Sequence, residues 1–287
     1  MTSLVVENEI IRLAALPEVG GKVISFFVKP VQKELLFQPK GPYRQPRVGD
    51  DFVLYDTSGW DEMLPTIDPC LWEGKRLPDH GEVWATSWEM KVEGNTLYGR
   101  VKCETIPLLF EREIKLEASR CLVSYTLTNL SEKEEPYLWA WHALWDMKGL
   151  SLEIPGITKV VPVHENTFVG PFEKPVAWPL VGGHDLRYPD SWLGEKSTKV
   201  YLSPEERISS ATLVWPEVSL RVSWESEKIP YFGIWYNHGG FKGEYNVAIE
   251  PATGYYDRLD RAFRRGMVSL VPSHGVARWH LEIEVNV

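Results

Sequence analysis

Three residues of this chain join a titratable side chain to a setting that could use it: Glu250, His142 and His80. Glu250 closes the apolar run Val247-Ala248-Ile249 and is followed at once by Pro251. A proline cannot donate to a sheet ladder, so the strand should end there and leave the carboxylate at the rim of a core. Desolvation at such a rim raises a carboxyl pKa and makes general acid/base work available. His142 sits in Trp139-Ala140-Trp141-His142-Ala143-Leu144-Trp145-Asp146, an ionisable group in the middle of an aromatic strand. His80 sits in Leu77-Pro78-Asp79-His80-Gly81-Glu82-Val83-Trp84, a loop that opens into a strand. Taken alone, a histidine in an apolar strand is more often a hydrogen-bonded core residue than a catalyst.

Other chemistries find less support. His80 and Glu82 are two apart and would share one face of a strand, but no third ligand follows at short spacing. The zinc deaminase pattern also opens with His-x-Glu, yet it needs a downstream Pro-Cys-x-x-Cys that is absent here. Neither a Gly-x-Ser-x-Gly elbow nor a phosphate-cradling glycine loop occurs. The expectation is chemistry with no metal, no cofactor and no protein nucleophile.

The elements that must position these groups are strands. Arg278–Val287 alternates apolar and polar residues, with Trp279, Leu281, Ile283 and Val285 on one face. Val123, Tyr125 and Leu127 alternate in the same way, as do Leu220, Val222 and Trp224. Lys22–Val28 is apolar on both faces and should be covered on both. Turn signals such as Gly20-Gly21, Glu93-Gly94-Asn95, Gly182-Gly183 and Gly239-Gly240 separate the strands. Helix is scarce: Tyr255–Arg265, stopped by Gly266, is the best candidate. Its Asp257, Arg258, Asp260, Arg261, Arg264 and Arg265 read as a solvated face; the alternative is that some of these arginines meet an anionic substrate. Residues 38–60 and 162–195 form long excursions, which in a compact domain are more often functional than idle. The expected fold is a single all-β domain over residues 1–287, with two large, mostly antiparallel sheets packed face to face.

Composition narrows the partners. A formal net charge of -9 over 287 residues argues against nucleic acid, which wants a basic stripe. No apolar stretch approaches a membrane span, and no secretion signal is evident. The three cysteines, Cys70, Cys103 and Cys121, are widely spaced and fit a reducing cytoplasm. Thirteen tryptophans are many for this length. Most should be core, but Trp60, Trp72, Trp84, Trp178, Trp192 and Trp235 lie in polar surroundings, where flat aromatic faces commonly cover a small-molecule ring.

Several of these residues, taken in order, carry a family resemblance. Gly20-Gly21-Lys22-Val23-Ile24-Ser25 with Glu34-Leu35-Leu36-Phe37, then His80-Gly81, His142 in its aromatic strand, Ile249-Glu250-Pro251 and the ending Leu270–Gly275 with Trp279–Val285 resemble the aldose 1-epimerase (galactose mutarotase) family. The resemblance spans nearly the whole chain. It implies a β-supersandwich with a sugar in a cleft on one broad concave face. It also implies that Glu250 takes the anomeric proton, His142 protonates the ring oxygen, and His80 hydrogen-bonds near the ring or anomeric oxygen. Ring opening, rotation about C1–C2 and closure then give the other anomer. Such a reaction needs only a matched acid and base at a bound ring.

The departures point to a divergent, mutarotase-related member rather than a galactose enzyme. The galactose-specific pattern His-Pro-Tyr-Phe-Asn is here His142-Ala143-Leu144-Trp145-Asp146, and Glu-Pro-Gln is here Glu250-Pro251-Ala252. Asp190 is the best match for the family's sugar-binding aspartate and Asp185 the second. Trp60, Asp61 and Glu62 could supply substitute hydroxyl contacts, with Trp84 and Trp235 as aromatic walls. The expected protein is a monomeric or homodimeric isomerase of a free hexose or hexose derivative. Two alternatives are a carbohydrate-binding protein of the same fold with little turnover, and a polysaccharide lyase or hydrolase, the latter needing a second carboxylate such as Asp61 or Glu62 opposite Glu250.

Overall fold

An extended chain turns successive side chains to opposite faces, and this sequence uses that two-residue period to build two broad sheets. The computed structural model describes residues 1–55, 57–164 and 168–287. Leu108–Glu117 and Arg120–Asn129 alternate buried and more exposed positions throughout. With Val276–Asn286 they form the middle of an 8-stranded sheet whose order is Ser151–Glu153, Ser210–Val214, Ser219–Trp224, Val276–Asn286, Arg120–Asn129, Leu108–Glu117, Thr96–Lys102 and Glu89–Glu93. Trp279, Leu281, Ile283 and Val285 turn inward, as their spacing requires.

The second sheet has 11 strands among the described residues. Its centre runs Lys22–Val28, Trp60–Met63, Ala140–Asp146, Tyr245–Ala252, Tyr231–His238 and Lys196–Leu202. Every ladder in both sheets is antiparallel. The architecture is the expected all-β supersandwich. The helix Leu259–Arg264 is only six residues long, and among the described residues no helix is long and apolar enough to cross a membrane.

One face of the larger sheet meets the smaller. There Phe110, Tyr125 and Trp279 stack, and Trp139 packs on Tyr125 with ring centroids 4.7 Å apart. Glu62 and Arg112 are buried in this layer 3.0 Å apart. Trp60 Nε1, Tyr125 OH and Trp139 Nε1 also donate to the Glu62 carboxylate, at 3.0, 3.0 and 2.8 Å. The opposite face of the larger sheet is the one left for a ligand.

Two local expectations need correction. Pro251 does not end its strand, which continues to Ala252. The proline's missing N–H shows instead in the ladder to Ala140–Asp146, where pairing goes from Ala143 with Ile249 directly to Ala140 with Ala252. The helix begins at Leu259 rather than Tyr255, because residues 255–258 are extended or bent around Asp257, whose carbonyl accepts from the N–H groups of Ile67 and Asp68. Asp257 and Asp260 are buried, not solvated. Arg258 and Arg264 are taken up by Asp260, and Arg261 and Arg265 by Glu173.

Candidate active site

Period-2 geometry decides which residues of each strand face outward from the sandwich. In Ala140–Asp146, Trp141 and Trp145 pack inward, Trp141 against Trp60 at 5.2 Å, while His142 and Leu144 line a cavity on the outer face. The register of Ala143 with Ile249 and Ala140 with Ala252 sets His142 across from Glu250. Glu250 is in turn opposite Gly233, Gly233 is opposite Tyr201, and Trp235 is opposite Lys199. His142, Glu250, Lys199 and Trp235 line a cavity of about 190 Å³ whose walls include Phe52, His80, His164, Phe241, Asn246 and Asp257.

Lys199 organises the floor. Its Nζ lies 2.5 Å from Glu250 Oε2 and 2.8 Å from Asp257 Oδ1, and Tyr201 OH donates to the same Asp257 oxygen at 2.7 Å. The strand of Gly233 lies between those of Lys199 and Glu250. A Cβ on Gly233 would come within 3.2 Å of Tyr201 Cζ and 3.5 Å of Lys199 Cε. Burial alone would depress the Lys199 ammonium, but the charges of Asp257 and Glu250 outweigh it and hold the pKa above the ordinary lysine value. Burial raises the Glu250 pKa above the ordinary carboxylate range, and Lys199 offsets only part of that rise. Glu250 Oε2 is therefore fixed, while Oε1 is buried with no hydrogen-bond partner among the described residues.

The two histidines differ. His142 is 7% exposed and its Nδ1 has no partner among the described residues. Burial, and then the positive charges of His80, Lys199 and Lys22, hold its pKa well below the ordinary value. His80 stands in a left-handed backbone conformation at φ 58°, its N–H bonded to Ile67 O at 2.5 Å. The next residue must be glycine, since a Cβ on Gly81 would sit 2.1 Å from Leu64 O. Phe52 stacks on the His80 ring at 4.0 Å, and Asp79 Oδ1 lies 2.9 Å from Nδ1. That carboxylate fixes the ring's orientation and turns Nε2 away from Asp79. Burial works against the Asp79 charge, but the bond to His80 and the Phe52 N–H keep its pKa below the usual range.

A family model described as a domain of unknown function (DUF4432) matches residues 80–285, most of the chain. The chain belongs to that family. No curated protein matches it in sequence. Among solved structures it is similar to the Slr1438 protein of Synechocystis sp. PCC 6803, at 16% identity over 99% of this chain and 96% of that one, with a TM-score of 0.75. A galactose mutarotase related enzyme from Lactobacillus acidophilus is 13% identical over 100% of this chain and 98% of its own, with a TM-score of 0.74. A galactose mutarotase-like protein from Lactobacillus casei ATCC 334 is 16% identical over 99% and 100%, with a TM-score of 0.68. At such identities the likeness shows the fold, and the fold of this DUF4432 chain is galactose mutarotase-like.

The fold brings His80, His142, Glu250 and Trp235 to one cavity and sends the other candidate contacts elsewhere. Trp60 and Glu62, two apart on one strand, share the face toward the sandwich core, opposite that of Asp61. Asp61 shares the face of His142, its cross-strand partner, but is buried and paired with Lys22 at 2.9 Å. Trp84 stands behind the site: it packs edge-on against Phe52 at 4.9 Å and donates to Asp79 O at 3.0 Å. Asp190 is exposed and accepts from Gly149 N–H, and Asp185 pairs with Arg187.

Both excursions contribute walls, through Phe52, Val53 and Thr57 from one and His164 from the other. Lys199, Asp257 and Asn246 were not foreseen; a lysine two residues before the Tyr201-Leu202 end of its strand was the available signal for the first. Glu82, considered with His80 as a metal pair, accepts from the N–H groups of Glu104 and Thr105. Among the described residues no group of three or more His, Cys, Asp or Glu is arranged to hold a metal.

Proposed function

We propose that this protein interconverts the α and β anomers of a hexose or hexose derivative by general acid/base ring opening. Glu250 Oε1 takes the proton of the anomeric hydroxyl as the C1–ring-oxygen bond breaks. His142, in its protonated form, delivers a proton to the ring oxygen and becomes neutral, its lowered pKa making that form a strong acid. His80, oriented by Asp79, hydrogen-bonds at the ring or anomeric oxygen. Rotation about C1–C2 and the reverse proton movements close the ring as the other anomer. A positioned acid and base each contribute about 10²- to 10⁴-fold.

The observation that carries this reading is the asymmetry of Glu250. One oxygen is anchored by Lys199, and the other, buried on the cavity floor across from His142, has no partner among the described residues. Polarimetry and exchange NMR on a panel of aldoses test it. Anomer exchange above the buffer rate that is lost in Glu250→Gln is the expected result, and full activity in that variant would overturn the assignment of the base.

A second reading, carbohydrate binding with little turnover, draws on the same ion pair, since Lys199 stabilises the Glu250 charge and weakens it as a base. Tight sugar binding by calorimetry, with exchange no faster than buffer, would favour it. A hydrolase reading loses the two carboxylates expected opposite Glu250, because Asp61 and Glu62 are engaged by Lys22 and Arg112. Asp257 shares the Lys199 ammonium with Glu250 and so lies beside that carboxylate rather than facing it across a bond.

A further inference from the structure

The acid/base reading leaves several polar residues of the cavity unused, Asp68, His164 and Asn246 among them, and Asn246 stands out. Asn246 lies on the strand of Glu250, an even number of positions before it and on the same face, and is 1% exposed. It lines the cavity, yet neither its Oδ1 nor its Nδ2 has a hydrogen-bond partner among the described residues. Its cross-strand neighbour Asn237 provides the contrast. Asn237 Nδ2 donates to Phe241 O at 3.0 Å, and its Oδ1 accepts from Phe241 N–H at 2.9 Å. On its other side Asp146 turns Oδ1 to the Lys148 N–H. One asparagine is thus consumed by a turn, and the other keeps a donor and an acceptor facing the cavity. A buried carboxamide with both ends unmade costs free energy that an apolar side chain would avoid. The neighbouring cavity-lining residue Leu144 and its cross-strand partner Ala248 are apolar.

Spacing says which part of a ligand this group can meet. From Asn246 to Glu250 the extended chain covers about 13 Å. That distance suits one pyranose ring lying along the strand with a hydrogen bond at each pole. Ala248 lies between them on the strand, with the cavity-lining Leu144 and Trp235 as its two cross-strand neighbours. A cavity of about 190 Å³ suits a single ring rather than a glycan chain.

We infer that Asn246 recognises the sugar pole opposite the anomeric carbon, its carboxamide exchanging hydrogen bonds with the hydroxyl on C4. The ligand class is a single pyranose with that hydroxyl free. The inference rests on the anomer-exchange reading only in setting the anomeric end at Glu250.

The test uses binding rather than turnover. Calorimetry on the full chain ranks unmodified hexoses; the tightest is then compared with its 4-deoxy and 4-O-methyl analogues. The wild type should bind the 4-deoxy sugar about 10- to 100-fold more weakly than the parent. Asn246→Ala should bind parent and 4-deoxy sugar alike, and the near-isosteric Asn246→Asp, which guards against a folding defect, should discriminate less than the wild type. Wild-type discrimination retained in Asn246→Ala would overturn the proposal. So would equal wild-type binding of parent and 4-deoxy sugar, or the absence of any hexose binding. Should the C4 pattern hold while anomers exchange only at the buffer rate, the proposed activity fails and the role of Asn246 stands. Anomer exchange with unchanged C4 discrimination in Asn246→Ala would sink Asn246 alone.

Discussion

Glu62 and Glu250 are both buried carboxylates on the larger sheet, each paired with a buried cation, and they face opposite sides of it. Glu62 receives Arg112 Nη1, Trp60 Nε1, Tyr125 OH and Trp139 Nε1, so both of its oxygens are engaged. Arg112 is itself held between the rings of Trp60 and Trp88 and donates to Gly21 O. Glu250 receives Lys199 on one oxygen, and the other has no partner among the described residues. Burial raises the pKa of each carboxyl. The surroundings of Glu62 are complete without a ligand, whereas those of Glu250 are incomplete. For these two carboxylates, completeness of hydrogen bonding makes the distinction that burial and the direction of the pKa shift do not.

The strongest way to break this comparison is to substitute both carboxylates. Glu250→Gln should cost about 10²- to 10⁴-fold in anomer exchange, read by NMR, with the fold retained. Glu62→Ala should leave Arg112 buried without its counter-ion and cost about 3–5 kcal/mol of stability, read by denaturant unfolding. If Glu62→Ala unfolds no more easily than the wild type, the structural half of the contrast fails.

Lys199→Met tests the anchor through pH. The base must be ionised, and a raised pKa means that ionisation is lost, as pH falls, above the ordinary carboxylate range. Lys199 pulls the Glu250 pKa down, so removing it should move the acid limb of the rate profile to higher pH. An acid limb that stays in place would show that Lys199 does not act on Glu250. Asp79→Asn should slow exchange about tenfold by loosening His80, a hydrogen bond to an ionised group being worth about 1.5–3 kcal/mol. Restoration by Asp79→Glu would mark the effect as orientation of the ring. The smallest effect belongs to Asp190→Asn, an exposed change that should alter stability by no more than about 0.5 kcal/mol and leave sugar affinity unchanged in titration.

What the sequence reveals of this site depends on how local the signal is. His142 and Glu250 stand out because each interrupts an apolar strand, and a charge in such a run is visible without knowing what lies beside it. Strand alternation alone could have parted Asp61 from Trp60 and Glu62. It could not say which set meets the ligand, since that follows from the pairing of Asp61 with His142, far apart in the chain. Lys199 was missed for the same reason: a lysine in Lys196–Leu202 reads as a snorkelling surface residue until Gly233 and Glu250 are brought beside it. Pro251 misled because a proline marks a break in hydrogen bonding, and here the break is confined to one ladder while the strand runs on. The helix was overestimated where Asp257, counted among its solvated charges, turns inward to Lys199 and Tyr201.

Gly233 gives this arrangement an evolutionary handle. A Cβ there would come within 3.2 Å of Tyr201 Cζ but meet Lys199 Cε at an ordinary 3.5 Å, so an alanine would press first on the tyrosine that donates to Asp257. Glycine to alanine is a single-nucleotide step. A lineage could loosen the Tyr201–Asp257 support of the cavity by that change alone, without touching Glu250 or His142.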